Sequence, residues 1–367
     1  MLNSPKLRGV NLGGWLVLEK WMTPSLFANL KAEDETTWCV ELGEQAAAKL
    51  QQHWQSFITE ADFAWLAEIG INAVRIPVGH WLFGADYPYH PSYQNLQHPY
   101  ATGGDKILDQ AMQWAERYQL KVVLDLHAAP GCQNGFDNGG ISGVCEWHTR
   151  DEYIQHSLTV LERLAERYRT SRALIAIEVL NEPRWDVPTE VLSAYTEQAY
   201  QRIRKHCNAD DVAVVFHDGF RDYREYAGLL QSETDSNVIF DIHRYQCFVQ
   251  DDIDTDVFGH ISKAVNDWRQ EAEQLIQDSG RKTYVGEWSL GLHPKMLDLW
   301  AEQALDYPAA SMDEFQQNLA YRGYAAAQLA CFEKYQGWFF WSYKTETMPQ
   351  WSFRDSVKRG WFPNDFR

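Results

Sequence analysis

The chain has little that could cross-link it. Its six cysteines (Cys39, Cys132, Cys145, Cys207, Cys247 and Cys331) are scattered over 367 residues, with no C-x-x-C pair. That spacing excludes zinc-ribbon and thioredoxin-type chemistry and fits free thiols in a reducing compartment. One bridge, Cys132–Cys145 across a glycine-rich loop, is left open. Basic residues are also short, 33 against 51 acidic ones, for a net charge of −18. Such a field repels phosphate backbones and anionic headgroups, so nucleic acid is excluded as a partner and neutral substrates fit better. No apolar run approaches the ~18 residues of a membrane span, which argues against membrane insertion. Residues 1–10 carry no apolar h-region; the expectation is a cytoplasmic protein, or a secreted one if a leader has been removed. With 13 Pro, 23 Gly and no low-complexity tract, disorder and collagen are excluded. No linker divides the chain, so residues 1–367 are expected to form one domain, working as a monomer.

Several signatures are missing as well. There is no G-x-G-x-x-G, P-loop, G-x-S-x-G elbow or H-E-x-x-H, which removes dinucleotide, nucleotide, acyl-hydrolase and zincin readings. His53, His80, His90, His98, His148, His156, His206, His217, His260 and His293 show no metal-site spacing. A metal-dependent barrel would have to use His127, His217 and His243, and is the distant alternative to a site with no metal and no cofactor.

What the sequence has in excess is aromatic surface: 16 Trp, 18 Tyr and 17 Phe, 14% of the chain. Flat faces with polar tips suit stacking on sugar rings. Strand-like apolar runs at 9–12, 73–78, 121–126, 175–180, 212–216, 238–242, 283–285 and 338–341 alternate with amphipathic segments at 60–68, 104–118, 151–168, 189–206, 256–279 and 312–335. Eight strands separated by helices predict a (β/α)8 barrel, an α/β fold whose catalytic groups gather at the C-terminal strand ends.

Those ends carry Arg75, His127, Asn181-Glu182, His243-Arg244-Tyr245, Glu287 and Trp341. Glu182 and Glu287 would close the fourth and seventh strands, facing each other across the mouth. Two carboxyls flanking a bond suit glycoside hydrolysis, and a retaining enzyme needs them ~5–5.5 Å apart. The acid must hold its proton while the nucleophile stays ionised; the expectation is a raised Glu182 beside an ionised Glu287, with Arg75 and the Tyr245 hydroxyl supporting the latter. Asn181 would hold the sugar 2-hydroxyl, and His127 would donate to sugar hydroxyls or support Asn181. Glu178 and Asp125 are read as structural residues on the other strand alternation.

In combination, Arg8-Gly9-Val10-Asn11-Leu12-Gly13-Gly14-Trp15, Val74-Arg75-Ile76-Pro77, Asp125-Leu126-His127-Ala128-Ala129-Pro130-Gly131, Leu180-Asn181-Glu182-Pro183, His243-Arg244-Tyr245-Gln246, Val285-Gly286-Glu287-Trp288-Ser289 and Gly337-Trp338-Phe339-Phe340-Trp341 resemble glycoside hydrolase family 5, most closely its exo-β-1,3-glucanase branch from yeasts. The resemblance spans residues 8 to about 345. It implies Glu182 as general acid/base and Glu287 as nucleophile. Arg75, His127, Asn181, His243, Tyr245 and Trp341 would form the rest of the site, with Trp341 as the floor under the non-reducing sugar. It further implies Glu19 on the terminal sugar's hydroxyls and Phe136 with Phe248 as a clamp on the next sugar. Asp137 and Asn138 lie in the loop 131–143, whose five glycines let it fold close over the mouth. Ile242 and Arg244 depart from the branch, which tends to carry histidines there, and 290–311 match nothing in it. The implied activity is release of glucose from β-1,3-gluco-oligosaccharides. Cleavage of another linkage or of a steryl or ceramide glucoside is the alternative, and a non-catalytic sugar-binding barrel a distant one.

Overall fold

The computed structural model describes residues 6–84, 99–292 and 312–367; His90, His98, His293 and most of the unmatched stretch 290–311 lie outside them. Eight parallel strands close into a barrel in chain order: β1 (Leu7–Asn11), β2 (Ala73–Gly79), β3 (Lys121–Ala128), β4 (Leu174–Glu178), β5 (Ala213–His217), β6 (Val238–Arg244), β7 (Lys282–Trp288) and β8 (Gly337–Phe340). The strands are apolar on both faces because both are covered. Val74, Ile76, Val122, Leu124, Ile177, Val214, Phe240 and Val285 face outward into the core under the helices. Leu7, Ala73, Val123, Ala176, Ala213, Ile239, Tyr284 and Phe339 fill the barrel's interior.

Side chains alternate along a strand, so the position two residues on from each interior plug residue also points inward. That rule takes Ala73 to Arg75, Val123 to Asp125 and then His127, Ala176 to Glu178, and Ile239 to Asp241 and then His243. All of these are buried. An apolar floor thus gives way to a charged layer one step toward the C-terminal face. Gly286 shows how tightly that layer packs. Its amide donates to Asp241 Oδ1 at 2.6 Å, and a Cβ there would lie 2.0 Å from Asp241 Oδ2.

The predicted helices form, with differences that have local causes. The segment 256–279 is two helices, Val257–Val265 and Asp267–Ser279, broken at Asn266, where the pair Asn266-Asp267 favours a cap over a helix interior. Two further helices, Glu35–Leu42 and Gln45–Phe57, precede the first predicted one. The former starts at a capping box between Asp34 and Thr37, a signal present in the sequence. All six cysteines are free, so the Cys132–Cys145 bridge does not form: Cys132 Sγ instead accepts the Gly135 amide at 3.1 Å. Among the described residues no helix is long and apolar enough to cross a membrane.

Glu35 is a buried carboxyl beside the loop that carries Glu19. Its Oε2 accepts the Leu18 amide at 2.8 Å. Burial raises it from 4.5 to about 8, although the Leu18 amide and Trp81 pull it partly back. A raised folded-state value favours the folded chain fully below 4.5, and that contribution is lost as pH rises through about 8. Glu35→Gln keeps the acceptor for Leu18 without the charge. The unfolding free energy of the wild type, from denaturant titrations, should therefore fall relative to Glu35→Gln across this window, by up to about 1.4 kcal/mol per pH unit. Parallel pH profiles for the two proteins would show that Glu35 carries no such term.

Candidate active site

The site is built on Arg75. Its guanidinium has five N–H groups in a planar fork, and each has a buried partner. Nε donates to Glu178 Oε2 at 2.7 Å, Nη1 to Asn11 Oδ1 at 3.0 Å and Glu287 Oε1 at 2.9 Å, and Nη2 to Asn181 Oδ1 at 2.8 Å, with Nη2 also ion-paired to Asp125 Oδ2 at 3.1 Å. Glu178 and Asp125 are therefore not peripheral structural residues on the far face, as the sequence reading has them. They share the inward face with Arg75 and His127. Burial drives Asp125 up to about 7, with Arg75 and His243 pulling back, and burial likewise raises Glu178. One cation among three carboxylates leaves this layer holding protons near neutrality.

The Arg75 bond fixes the Asn181 amide. With Oδ1 facing the guanidinium, Nδ2 is the free donor, and it lies 3.5 Å from His127 Nε2. His127 Nδ1 is 2.6 Å from Asp125 Oδ2, and burial lowers its pKa to about 3. The ring is thus neutral, donating through Nδ1 and accepting at Nε2. It supports Asn181, and its face stacks on Trp341, centroids 5.2 Å apart and planes 4° apart.

β4 ends at Glu178, so Glu182 sits in the loop beyond it, with φ of +42°, a left-handed conformation that strains a non-glycine residue by about 1–2 kcal/mol. Gln133 holds this loop: its Nε2 donates to the carbonyls of His127 and Asn181, and the Arg184 amide donates back to the Gln133 carbonyl. Sequence reading did not single out Gln133.

Glu182 and Glu287 meet at His243. Nδ1 of His243 is 2.7 Å from Glu182 Oε1 and 3.4 Å from Glu287 Oε2; its other nitrogen is 3.4 Å from Asp241 Oδ2. Glu287 also accepts the Tyr245 hydroxyl at 2.8 Å, and Glu182 the Asn138 amide at 3.2 Å. Burial raises Glu287 to about 7; His243 and Arg75 oppose this and the charge of Glu182 adds to it. For Glu182 burial is outweighed by the bond to His243, by the charge of His243 and by the Asn138 amide, so it lies below the usual range. His243 is held well above the imidazole range, its burial overcome by Glu287, Asp241 and Glu182. The expected asymmetry is thus reversed in the free site: the proton rests on His243, not on Glu182.

Glu19, in the loop after β1, is buried. Its Oε2 accepts from Trp21 Nε1 at 2.9 Å, while Oε1 has no partner. Burial raises it well above the usual range, reinforced by the charge of Asp137 and then by those of Glu287 and Glu182. Asp137 is itself raised, by burial first. Trp351 ties one wall together: Trp21, Tyr245 and Phe248 lie against it at centroid distances of 5.3, 5.4 and 6.2 Å. Nothing in the sequence marks Trp351, which follows the last strand outside any motif. Phe136 and Phe248 are 37% and 70% exposed, on the loops after β3 and β6.

The metal-type donor groups that the described residues bring together are Glu182–His217–His243 and Glu178–Asp241–His243. His127 joins neither, and His217 Nδ1 accepts the Gly219 amide, so the set His127, His217 and His243 is not assembled.

The chain is 37% identical to the probable glucan 1,3-beta-glucosidase A of Emericella nidulans, over 98% of this chain and 90% of that one. It is 34% identical to the glucan 1,3-beta-glucosidase of Blumeria graminis, over 98% and 87%. Among solved structures, a rutinosidase from Aspergillus niger superposes with a TM-score of 0.77 over 98% of both chains at 21% identity, a likeness of fold. The family model for cellulase (glycosyl hydrolase family 5) matches residues 37–344, and the chain belongs to that family.

Proposed function

We propose that this protein is a retaining exo-β-1,3-glucanase that removes glucose from the non-reducing end of β-1,3-gluco-oligosaccharides. The observation that carries the chemistry is the pair of buried carboxylates within reach of one imidazole nitrogen, at 2.7 and 3.4 Å. Two carboxyls that share one nitrogen are close neighbours, as a retaining pair at ~5–5.5 Å has to be. Glu287, held between a guanidinium and a phenol, attacks the anomeric carbon and forms a glycosyl ester. The proton for the departing oxygen passes from His243 Nδ1 to Glu182 Oε1 and on to the leaving group. Water, deprotonated by Glu182, then hydrolyses the ester. Asn181 Nδ2 and Trp341 position the sugar, and the unpartnered Glu19 oxygen takes the terminal sugar's outer hydroxyls. The linkage is supported by the glucan 1,3-beta-glucosidase names of full-length relatives.

The whole chain is read as one catalytic unit working as a monomer. Segments outside the family match bond into the barrel, Arg8 to Glu333 and the Phe366 amide to the Ile69 carbonyl, and every site residue comes from one barrel. Six free thiols favour a reducing, cytoplasmic compartment as its place of work.

Glu287→Gln should lower kcat by at least about 10³-fold. Glu182→Ala should fail on glucan while keeping the first step on an aryl glucoside with a good leaving group. NMR of the first-formed product should show the retained anomer; an inverted one overturns the double displacement.

The acidic limb of kcat/KM reports the free enzyme. Since Glu287 is raised to about 7 and must be ionised, kcat/KM should fall about tenfold per unit below that pH. Tyr245→Phe removes a donor to the ionised form and should move this limb to higher pH. A limb unmoved in Tyr245→Phe would assign it to another group.

Digests of laminari-oligosaccharides should release glucose alone from the start, and Phe136→Ala should raise KM for them more than for an aryl glucoside. Early release of internal fragments would mean an open cleft and end the exo reading.

A further inference from the structure

Four exposed aromatic side chains stand one on each of the successive loops after β3, β4, β5 and β6: Phe136 (37% exposed), Trp185 (59%), Phe220 (42%) and Phe248 (70%). All four loops open at the barrel's catalytic end. Phe136 and Phe248 are accounted for by the clamp, but Trp185 is not. It lies three residues beyond Glu182, on the loop that carries the acid. Its backbone is fixed: Arg221 donates through Nη2 to the Trp185 carbonyl at 2.7 Å, to the Arg184 carbonyl and to the Val187 carbonyl, and through Nη1 to Thr189 Oγ1 at 2.9 Å. Arg184 is paired with Asp186 at 2.6 and 2.8 Å, so the residues on either side of Trp185 in the chain are closed into an ion pair. A continuous line of contacts connects it to the reacting groups. His243, bonded to Glu182, lies against His217 at 4.2 Å between centroids, His217 against Phe220 at 5.2 Å, and Arg221, next in the chain, holds the Trp185 loop. A large apolar face held out in water on a rigid loop beside a catalytic acid is a contact surface in search of a flat partner.

We propose that Trp185 is a stacking platform for glucosyl units beyond the one gripped by Phe136 and Phe248, so that the preferred substrate is a glucan longer than a disaccharide. The occupant follows from position: the platform is on the acid's side of the mouth, where the departing part of the chain emerges, and that part of a glucan is more sugar. Because the loop is pinned before binding, little ordering entropy opposes the contact. The proposal rests on the reading of the site as a glucan-cleaving pocket.

Calorimetric titration separates the two. Glu287→Gln and Glu287→Gln/Trp185→Ala are titrated with laminaribiose and laminarihexaose, and with the β-1,4- and β-1,6-linked series of the same lengths. Trp185→Ala should weaken the hexaose by about fivefold or more while the disaccharide stays within about twofold, and Trp185→Phe should recover part of the loss. Equal losses for both lengths, as a purely structural role of the loop would give, overturn the platform, as does no loss at either length. If only another linkage binds, the β-1,3 reading fails. A length-dependent loss in that series still upholds Trp185, and its absence in every series overturns it.

Discussion

The structure depends on satisfying one buried guanidinium. Arg75 is 1% exposed, and a charge so placed is costly unless every donor is matched. The five partners come from β1 (Asn11), β3 (Asp125), β4 and the loop beyond it (Glu178, Asn181) and β7 (Glu287). The match therefore ties β2 not only to its neighbours β1 and β3 but also to β4 and β7, which do not pair with it in the sheet. Slipping any of them by one residue would turn its partner out of the barrel and leave an N–H unpaired. The hydrophobic plug beneath, from Ala73 to Phe339, cannot impose that constraint alone, because apolar residues of similar size exchange places at modest cost.

Saturating Arg75 creates a second requirement. Three carboxylates on one cation, with Asp241 and Glu182 close by, exceed the charge that a buried layer tolerates, so protons must be distributed over it. Neutral His127 contributes none. His243 is the group placed to hold one, since Glu182, Glu287 and Asp241 all lie within 3.4 Å of its two nitrogens. The imidazole therefore sets the protonation of both catalytic carboxyls together. Bringing a sugar into the pocket changes the solvation of both at once, which couples binding to the proton movement that the reaction requires.

Much of this was legible in the chain. Eight apolar runs gave the barrel, and polar residues at their C-terminal ends gave Arg75, His127, Asn181, Glu182, His243, Tyr245 and Glu287. Two misplacements are matters of parity. Glu178 lies two residues on from Ala176, which plugs the barrel, so alternation itself puts it on the inward face; the strand leaves the sheet there, and Glu182 at φ +42° lies outside that period. Asp125 follows the unbroken alternation from Val123 to His127, and counting from the strand's buried end would have found it. Asp241 is reachable by the same count. The proton's resting place was not readable, because it depends on which oxygen lies nearest His243 Nδ1, a matter of tenths of an ångström. Trp351 and Gln133 act through loops, where no period applies.

The distribution of aromatic groups around the mouth is uneven, and that unevenness has a mechanical meaning. On the side of β1 and β8 the rings are buried or lean on one another: Trp341 on His127, and Trp21 on Trp351 beside the Glu19 carboxyl. On the side of β3 to β5 the rings stand exposed on successive loops, while Phe248 after β6 lies against Tyr245 and Trp351. A substrate therefore meets a filled wall on one side and open faces on the other. The buried carboxyl of Glu19 lies behind the filled wall, where a sugar's hydroxyls could satisfy its free oxygen but a further sugar would have to displace packed indoles. In the proposed reading a chain enters with its terminal unit toward Glu19 and its remainder out over the exposed rings. That direction places the scissile oxygen on the side of Glu182, the carboxyl whose loop also carries the open aromatic face. The acid and the open face of Trp185 share one loop, which Arg221 pins at the carbonyls of Trp185 and Val187.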